Sequence, residues 1–229
     1  MLICRDPGLL FVKTMKTAGS SIEIALGPLL REGDLATPLD PSEESQRPGR
    51  NVRRAVRSMV RTLRERSDGA VRARYPHHGH DVAATYLANE IEGCRAFCVE
   101  RNPYDKAVSA FHFVYDRHNR RITDPGQQFE EFCKSARLPS FSNFDMYTRD
   151  GELVVERVLQ YDRLEREFSE VLDSFGIAGV SLGDKKAKAG VRPKLDLSTY
   201  YGADYERPAA RLVESTFARE FAFFGYQRT

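Results

Sequence analysis

Residues Leu9-Leu-Phe-Val-Lys-Thr-Met-Lys-Thr-Ala-Gly-Ser-Ser-Ile-Glu-Ile-Ala-Leu26 decide how this chain is read. Leu9 to Lys13 is a short apolar run that suits a buried strand. Thr14 to Ser21 is a loop of small, hydroxylated and cationic residues, and Ile22 to Leu30 has the pattern of a helix that stops near Gly27-Pro28. Strand, small-residue loop and helix in that order place backbone N–H groups and a positive dipole end where an anion can bind.

The same order returns twice. Arg95 to Val99 is an apolar run leading into Arg101-Asn-Pro-Tyr-Asp-Lys-Ala-Val-Ser-Ala-Phe111, where Asn102 suits an N-cap and Pro103 a first helical residue. Glu156 to Tyr161 precedes Asp162-Arg-Leu-Glu165, a capping-box pattern opening a helix through Phe168, Val171, Leu172 and Phe175 that stops at Gly176. The chain closes on a helical pattern through Leu212, Val213, Phe217 and Phe221, apolar positions that read as core. Strands alternating with helices predict a single α/β domain over 1–229 with a mostly parallel sheet flanked by helices.

Composition narrows the class. With 41% hydrophobic and 30% charged residues in 229, the chain can bury a core and is neither disordered nor fibrous. A net charge of +2 excludes a surface basic all over, so any basic site must be local. Cys4, Cys94, Cys98 and Cys133 have neither zinc-site spacing nor the density of a disulfide scaffold. No metal site is expected, and no apolar run approaches the roughly 18 residues of a membrane span, so a soluble, cytoplasmic protein in a reducing compartment is expected.

The loop Lys16-Thr17-Ala18-Gly19-Ser20-Ser21 offers successive N–H groups, one glycine, three hydroxyls and one ammonium, a composition that can cradle phosphate or sulfate. It lacks the Gly-x-x-x-x-Gly-Lys-Ser/Thr spacing of nucleoside triphosphatases. Ser20 to Glu23 is also a capping box in its own right, so both readings stand. Arg101 falls where ligands meet open α/β sheets, at the carboxyl end of a strand. Ser109 lies eight residues on, roughly 10 to 12 Å along the following helix, and the pair suits a second phosphate.

These two motifs, Phe11 to Leu26 and Arg101 to Ser109, resemble the cofactor motifs of sulfotransferases of the family-2 type, which includes bacterial and glycan-modifying members. Gly33 to Pro41, Tyr161 to Gly176 and Phe221 to Tyr226 are similar to the same framework. The resemblance implies a P-loop-like three-layer domain that moves a sulfuryl group from 3′-phosphoadenosine 5′-phosphosulfate (PAPS) to a hydroxyl or amine, most simply of a glycan or glycolipid. It implies that Lys16 contacts the 5′ phosphosulfate, that Thr17, Ala18, Gly19, Ser20 and Ser21 cradle it, and that Arg101 and Ser109 hold the 3′ phosphate. Arg192, in the cationic stretch Lys185 to Lys194, falls where that family places a loop over the nucleotide.

A proton acceptor is sought among the histidines. His77-His-Gly-His80 follows Pro76, and Asp81 is expected to cap the segment Val82 to Asn89. An imidazole titrating near pH 6.5 can take the acceptor's proton, and His-Gly-His is similar to a pattern that supplies the base in some glycan sulfotransferases. His80 is therefore the first choice, His78 its support, and metal binding or a structural loop the rivals. Glu100 stands where the family usually has an apolar residue and is the alternative base. His112 and His118 read as packed or solvated.

The segment Arg47 to Arg74 holds ten arginines against Glu65 and Asp68, a local surplus of eight cations. Val52, Val56, Met59, Val60 and Leu63 recur within it at helical spacing, which predicts an amphipathic helix with a basic outer face inserted over 47–74. It suits a lid for an anionic acceptor. As the site of a nucleic-acid-binding protein it lacks aromatic stacking partners, and that reading leaves Lys16 and Arg101 unexplained. A nucleotide kinase needs the triphosphate loop and magnesium ligands that the sequence does not offer. The sequence leaves the oligomeric state open.

Overall fold

The computed structural model describes residues 1–66, 79–183 and 196–228. The chain divides into two compact units, Met1–Glu100 with Asp145–Ala187, and Arg101–Phe144 with Lys188–Thr229. In chain order the elements begin with β1 (Leu2–Cys4), β2 (Leu9–Phe11), α1 (Gly19–Leu26), β3 (Leu35–Ala36), α2 (Pro41–Glu44) and α3 (Val52–Arg66). There follow α4 (His80–Tyr86), α5 (Ala88–Ile91), β4 (Arg95–Glu100), α6 (Pro103–Arg117) and α7 (Pro125–Lys134). The last are β5 (Thr148–Arg149), β6 (Glu152–Leu153), β7 (Arg157–Gln160), α8 (Leu164–Ser174), α9 (Ser198–Tyr201), α10 (Pro208–Thr216) and α11 (Ala218–Phe224).

The first unit carries a five-stranded sheet in the order β3-β1-β2-β4-β7. The β2, β4 and β7 strands are parallel, as the repeated strand-loop-helix order requires, with Phe11 opposite Phe97 and Val99 opposite Leu159. The other half is antiparallel, which corrects the expectation of a mostly parallel sheet: β1 pairs with both β2 and β3. The cause is the turn at Asp6-Pro7-Gly8, too short for a crossover, where Gly8 at φ +82° donates its N–H to the Cys4 carbonyl. The sheet is mixed and the protein is mixed α/β.

Both faces of these strands are buried, with Phe11, Phe97 and Val99 on one and Leu10, Ala96 and Cys98 on the other. Phe11 and Phe97 meet at 5.1 Å between ring centroids, and Phe168 of α8 lies 6.3 Å from Phe97. Ile22 and Leu26 of α1 and Val171 and Leu172 of α8 complete the same core. The α8 helix opens differently from the capping box read for it. Tyr161–Arg163 forms a 3₁₀ turn, Arg163 is the N-cap, and no side chain caps it, while Gly176 at φ +68° follows the last turn as expected.

The basic helix forms over Val52–Arg66; positions 67–74 lie outside the described residues. Val52, Ala55, Met59 and Leu63 are buried on its inner face, which packs on β3, and Val56 is partly buried against the core. Val60, read as part of that stripe, is instead 41% exposed because it sits beyond the edge of the arc the others define. Arg47 leaves the basic face altogether. It is buried, its Nη2 donates to Glu44 and to the Thr37 carbonyl, and it anchors the chain before the helix.

The second unit is helical and its core is aromatic. Phe111, Phe129, Tyr200 and Tyr201 pack edge to face, with Phe129 5.3 Å from Tyr200 and 5.1 Å from Tyr201. Tyr201 donates its hydroxyl to the Tyr104 carbonyl at 2.8 Å. His112 is buried with Nε2 2.6 Å from the Tyr200 hydroxyl, so it is a packed residue, and His118 meets Arg137 at the surface. Of the closing helical pattern, Val213 and Phe217 are buried and Leu212 and Phe221 are half-buried. No helix among the described residues is long and apolar enough to cross a membrane.

Candidate anion-binding site

The loop after β2 is built by the residues that flank it. The Val12 N–H continues the ladder to the Phe97 carbonyl, and Thr14 then donates its hydroxyl to the Val99 carbonyl at 2.5 Å. The hydroxyls of Thr14 and Thr17 lie 2.7 Å apart, and Thr17 also reaches back to the Thr14 carbonyl. These bonds pin the loop to the carboxyl end of β4. Between them the backbone takes two left-handed turns, at Lys16 (φ 61°) and Ala18 (φ 64°). Side-chain-bearing residues in that region cost of order 1 to 3 kcal/mol each, a strain that clusters at ligand sites.

Ala18 is the N-cap of α1 and offers no capping side chain. The first helical N–H groups, from Gly19, Ser20 and Ser21, thus receive no capping oxygen from it, and a left-handed residue before a helical one turns successive N–H groups to one side. The capping box read for Ser20 to Glu23 is absent because stronger partners claim both ends. Ser20 donates to the Glu43 carboxylate at 2.9 Å, and Glu23 lies beneath the loop, fully buried.

Glu23 is the hub of that buried layer. Lys13 Nζ lies 2.9 Å and the Met1 α-amine 2.8 Å from its two oxygens, and the Thr37 hydroxyl donates to it at 3.1 Å. Burial pushes the Glu23 carboxyl up, but the amine, Lys13 and Arg47 more than offset this and hold it down at about 2. The amine itself is lowered to about 6, since burial costs it more than Glu23 returns. Gly19 is needed beside this layer: a Cβ there would stand 2.7 Å from Lys13 Cγ. The loop therefore rests on a fixed charge pair.

Glu100 ends β4, next to the carbonyl that Thr14 holds. It is fully buried and accepts a hydrogen bond from the Tyr147 hydroxyl at 2.9 Å, so its carboxylate is engaged inside the unit. His80 is the first residue of α4, and the cap is Gly79; the expectation that Asp81 caps this helix is corrected, because Asp81 falls within the first turn. Gly79 packs so closely on Met146 that a Cβ would lie 2.8 Å from its Cα, and Tyr147 follows directly, so His80 enters beside the residue that binds Glu100. The imidazole is lowered below its usual range by burial and by Arg149, partly countered by Asp81, and its Nδ1 is buried without a hydrogen-bond partner among the described residues. His78 and Arg192 lie outside the described residues.

In the second unit Arg101 is buried, and its Nε donates to the Asp105 carboxylate at 2.6 Å across one helical turn. Asn102 caps α6 through the Tyr104 N–H, with Pro103 at the first position, as read from the sequence. Ser109 lies half-buried on the same helix. Buried charge elsewhere in this unit gave no sequence signal: Lys106, between Glu220 at 3.6 Å and the Phe217 ring at 4.7 Å, is enclosed completely. The cysteines carry no thiolate, since burial raises Cys4 to about 12 and Cys94, Cys98 and Cys133 above their usual range.

An uncharacterized protein of Archaeoglobus fulgidus is 32% identical to this chain over 89 residues, which make up 38% of this chain and 71% of the archaeal protein. No protein-family model matches the chain. No solved structure matches it.

Proposed function

Since this chain belongs to the same family as the uncharacterized Archaeoglobus protein, which brings no activity with it, we propose the function from the residues themselves: a P-loop-like, PAPS-dependent sulfotransferase acting on a hydroxyl or amine. The observation that carries this reading is the Lys16–Ser21 loop. It is strained, pinned by Thr14 and Thr17, and opens a helix whose N-cap residue, Ala18, has no capping side chain. A fixed ammonium and fixed amide donors are what an in-line transfer needs, because negative charge grows on the leaving phosphate oxygen. The acceptor oxygen attacks sulfur, the bond from sulfur to the 5′-phosphate oxygen breaks, and adenosine 3′,5′-bisphosphate (PAP) departs with the electron pair.

Lys16 meets the developing charge, and the first N–H groups of α1 hold the phosphosulfate. Ser20 and Thr17 contribute through the backbone, their hydroxyls being bonded to Glu43 and Thr14. Arg101 and Ser109 take the 3′ phosphate by the family resemblance, with Asp105 orienting the guanidinium until the anion arrives. His80 takes the acceptor's proton: lowered below its ordinary value, its ring is neutral at pH 7 and able to accept. Glu100, enclosed and bonded to Tyr147, is the weaker choice. A glycan or glycolipid is the acceptor class that the resemblance supports.

Thermal unfolding tests the donor. PAP at about 100 times its dissociation constant adds roughly 2.7 kcal/mol and raises the melting temperature by roughly 5 to 11 °C, while 5′-AMP and ATP at equal concentration raise it much less. Equal shifts from all three reject the reading, and a shift from ATP alone favours the kinase. His80→Ala should lower the transfer rate by roughly 10²- to 10⁴-fold and remove the acid-side fall in rate, which the lowered imidazole places below its ordinary range. An unchanged pH profile removes His80 as the base.

A further inference from the structure

The outer face of α3 takes no part in the proposed chemistry, and its arginines are arranged. At 100° per residue, Arg53, Arg64, Arg57, Arg61 and Arg54 fall in that order within an arc of about 100°, opposite the buried Ala55, Met59, Val52 and Leu63. All five are exposed. Arg53, Arg57, Arg61 and Arg64 have no ion-pair partner among the described residues, and Arg54 meets only the open carboxylate of Glu32, a pair of little energetic weight. From Arg53 to Arg64 the stripe runs about 16 Å along the helix. The stripe borders a cleft whose lining mixes Arg5, Arg61 and Arg66 with Glu65 and Glu90, and there Arg66 pairs with Glu90.

We propose that this face docks the phosphate backbone of double-stranded DNA. Every cation on it is an arginine, whose planar fork binds phosphate in two-point fashion and suits it better than lysine. A helix with its side chains is about 10 to 12 Å across, close to the roughly 12 Å width of a duplex major groove, and cations spread over a 100° arc reach both phosphate walls. A flat bilayer or a single thin polymer meets only one line of that arc. The apolar face of α3 is buried on β3 and unable to enter a membrane. The helix carries no aromatic residue, which weighs against a single strand held by stacking and leaves a duplex held through its backbone.

The test is fluorescence anisotropy of labelled 20-base-pair DNA duplexes of two unrelated sequences, with an RNA duplex for comparison, from 50 to 200 mM salt. The intact protein should bind both sequences equally, with log K falling against log salt at a slope of about −3.6, four phosphates at roughly 0.9 each. The variant R53Q/R57Q/R61Q/R64Q, which leaves the buried face untouched, should lose at least tenfold in affinity and nearly all of the salt slope. The variant R117Q/R121Q/R137Q/R211Q, exposed arginines of the other unit, should bind as the wild type does. Duplex binding unchanged in the α3 variant, or reduced equally in the control, overturns the proposal. So does tighter binding, at equal salt, to an RNA duplex, to a single strand, to vesicles with 30% phosphatidylserine or to heparin than to duplex DNA. PAP binding is measured beside it and should be equal in all three proteins, so this surface and the sulfotransferase reading fail separately.

Discussion

Lys16→Ala should abolish sulfuryl transfer while the protein melts at its wild-type temperature. Lys16 is half-buried in the strained loop, outside the buried Glu23 layer, and alanine keeps the Cβ, so the left-handed backbone at φ 61° is no worse in the variant. On the proposed reading, the variant loses the ammonium that meets the negative charge growing on the leaving oxygen in the transition state. Removing a single donor of that kind costs roughly 10²- to 10³-fold in rate, about 2.7 to 4 kcal/mol. Lys16→Arg should recover little, because a rigid fork does not replace a compact point charge. The assay is initial rate with sulfur-labelled PAPS, read beside a thermal melt. Normal turnover in the alanine variant removes Lys16 from the chemistry.

Glu23→Gln should destabilise the protein by about 3 to 5 kcal/mol, a fall of roughly 6 to 20 °C in melting temperature. The substitution keeps the shape and removes the charge that Lys13 Nζ and the Met1 amine share in a site closed to solvent. Lys13 in turn packs under Gly19, so the loop should loosen as well, which PAP titration of the variant reads as weaker binding. The same carboxyl sets an acid limit. Held at about 2 when folded against 4.5 when free, it contributes stability in full above about pH 4.5, and that contribution is lost as the pH falls from there towards 2. Glu23→Gln should flatten the stability curve across that window, and a parallel curve contradicts the assignment.

The parallel half of the sheet was legible because Leu9 to Phe11 and Ala96 to Val99 are apolar runs and Val158-Leu159 precedes a helical pattern, each followed by loop residues and a helix. The antiparallel half was not. β1 has three residues and β3 two, too short for a period to show, although Pro7-Gly8 between two apolar runs is a hairpin signal that could have found β1. Helix starts were read correctly where the capping side chain had no rival, as at Asn102. They were misread at Ser20, Asp81 and Asp162, because caps are local bonds and tertiary partners outbid them: Glu43 takes Ser20, and Gly79 packing on Met146 moves the start of α4 forward.

The loop Lys16–Ser21 was found from composition and order, while what holds it was not. Lys13, Glu23 and Thr37 come from three separate elements, and only the fold brings them together. Arg47 shows the same limit, since in the sequence it is one of ten arginines and in the structure it is a buried anchor. Glu100 looked like an exception to an apolar position. Its reason is Tyr147, nearly fifty residues away, whose hydroxyl it accepts.

Calorimetric titration with PAP, against 5′-AMP and ATP, on the wild type and on Arg101→Ala tests the central claim most directly. The account predicts that the wild type prefers PAP over 5′-AMP by more than tenfold, above about 1.4 kcal/mol, and that Arg101→Ala erases the preference while still binding 5′-AMP. Equal affinity of the wild type for PAP and 5′-AMP, or a preference that survives in Arg101→Ala, contradicts it.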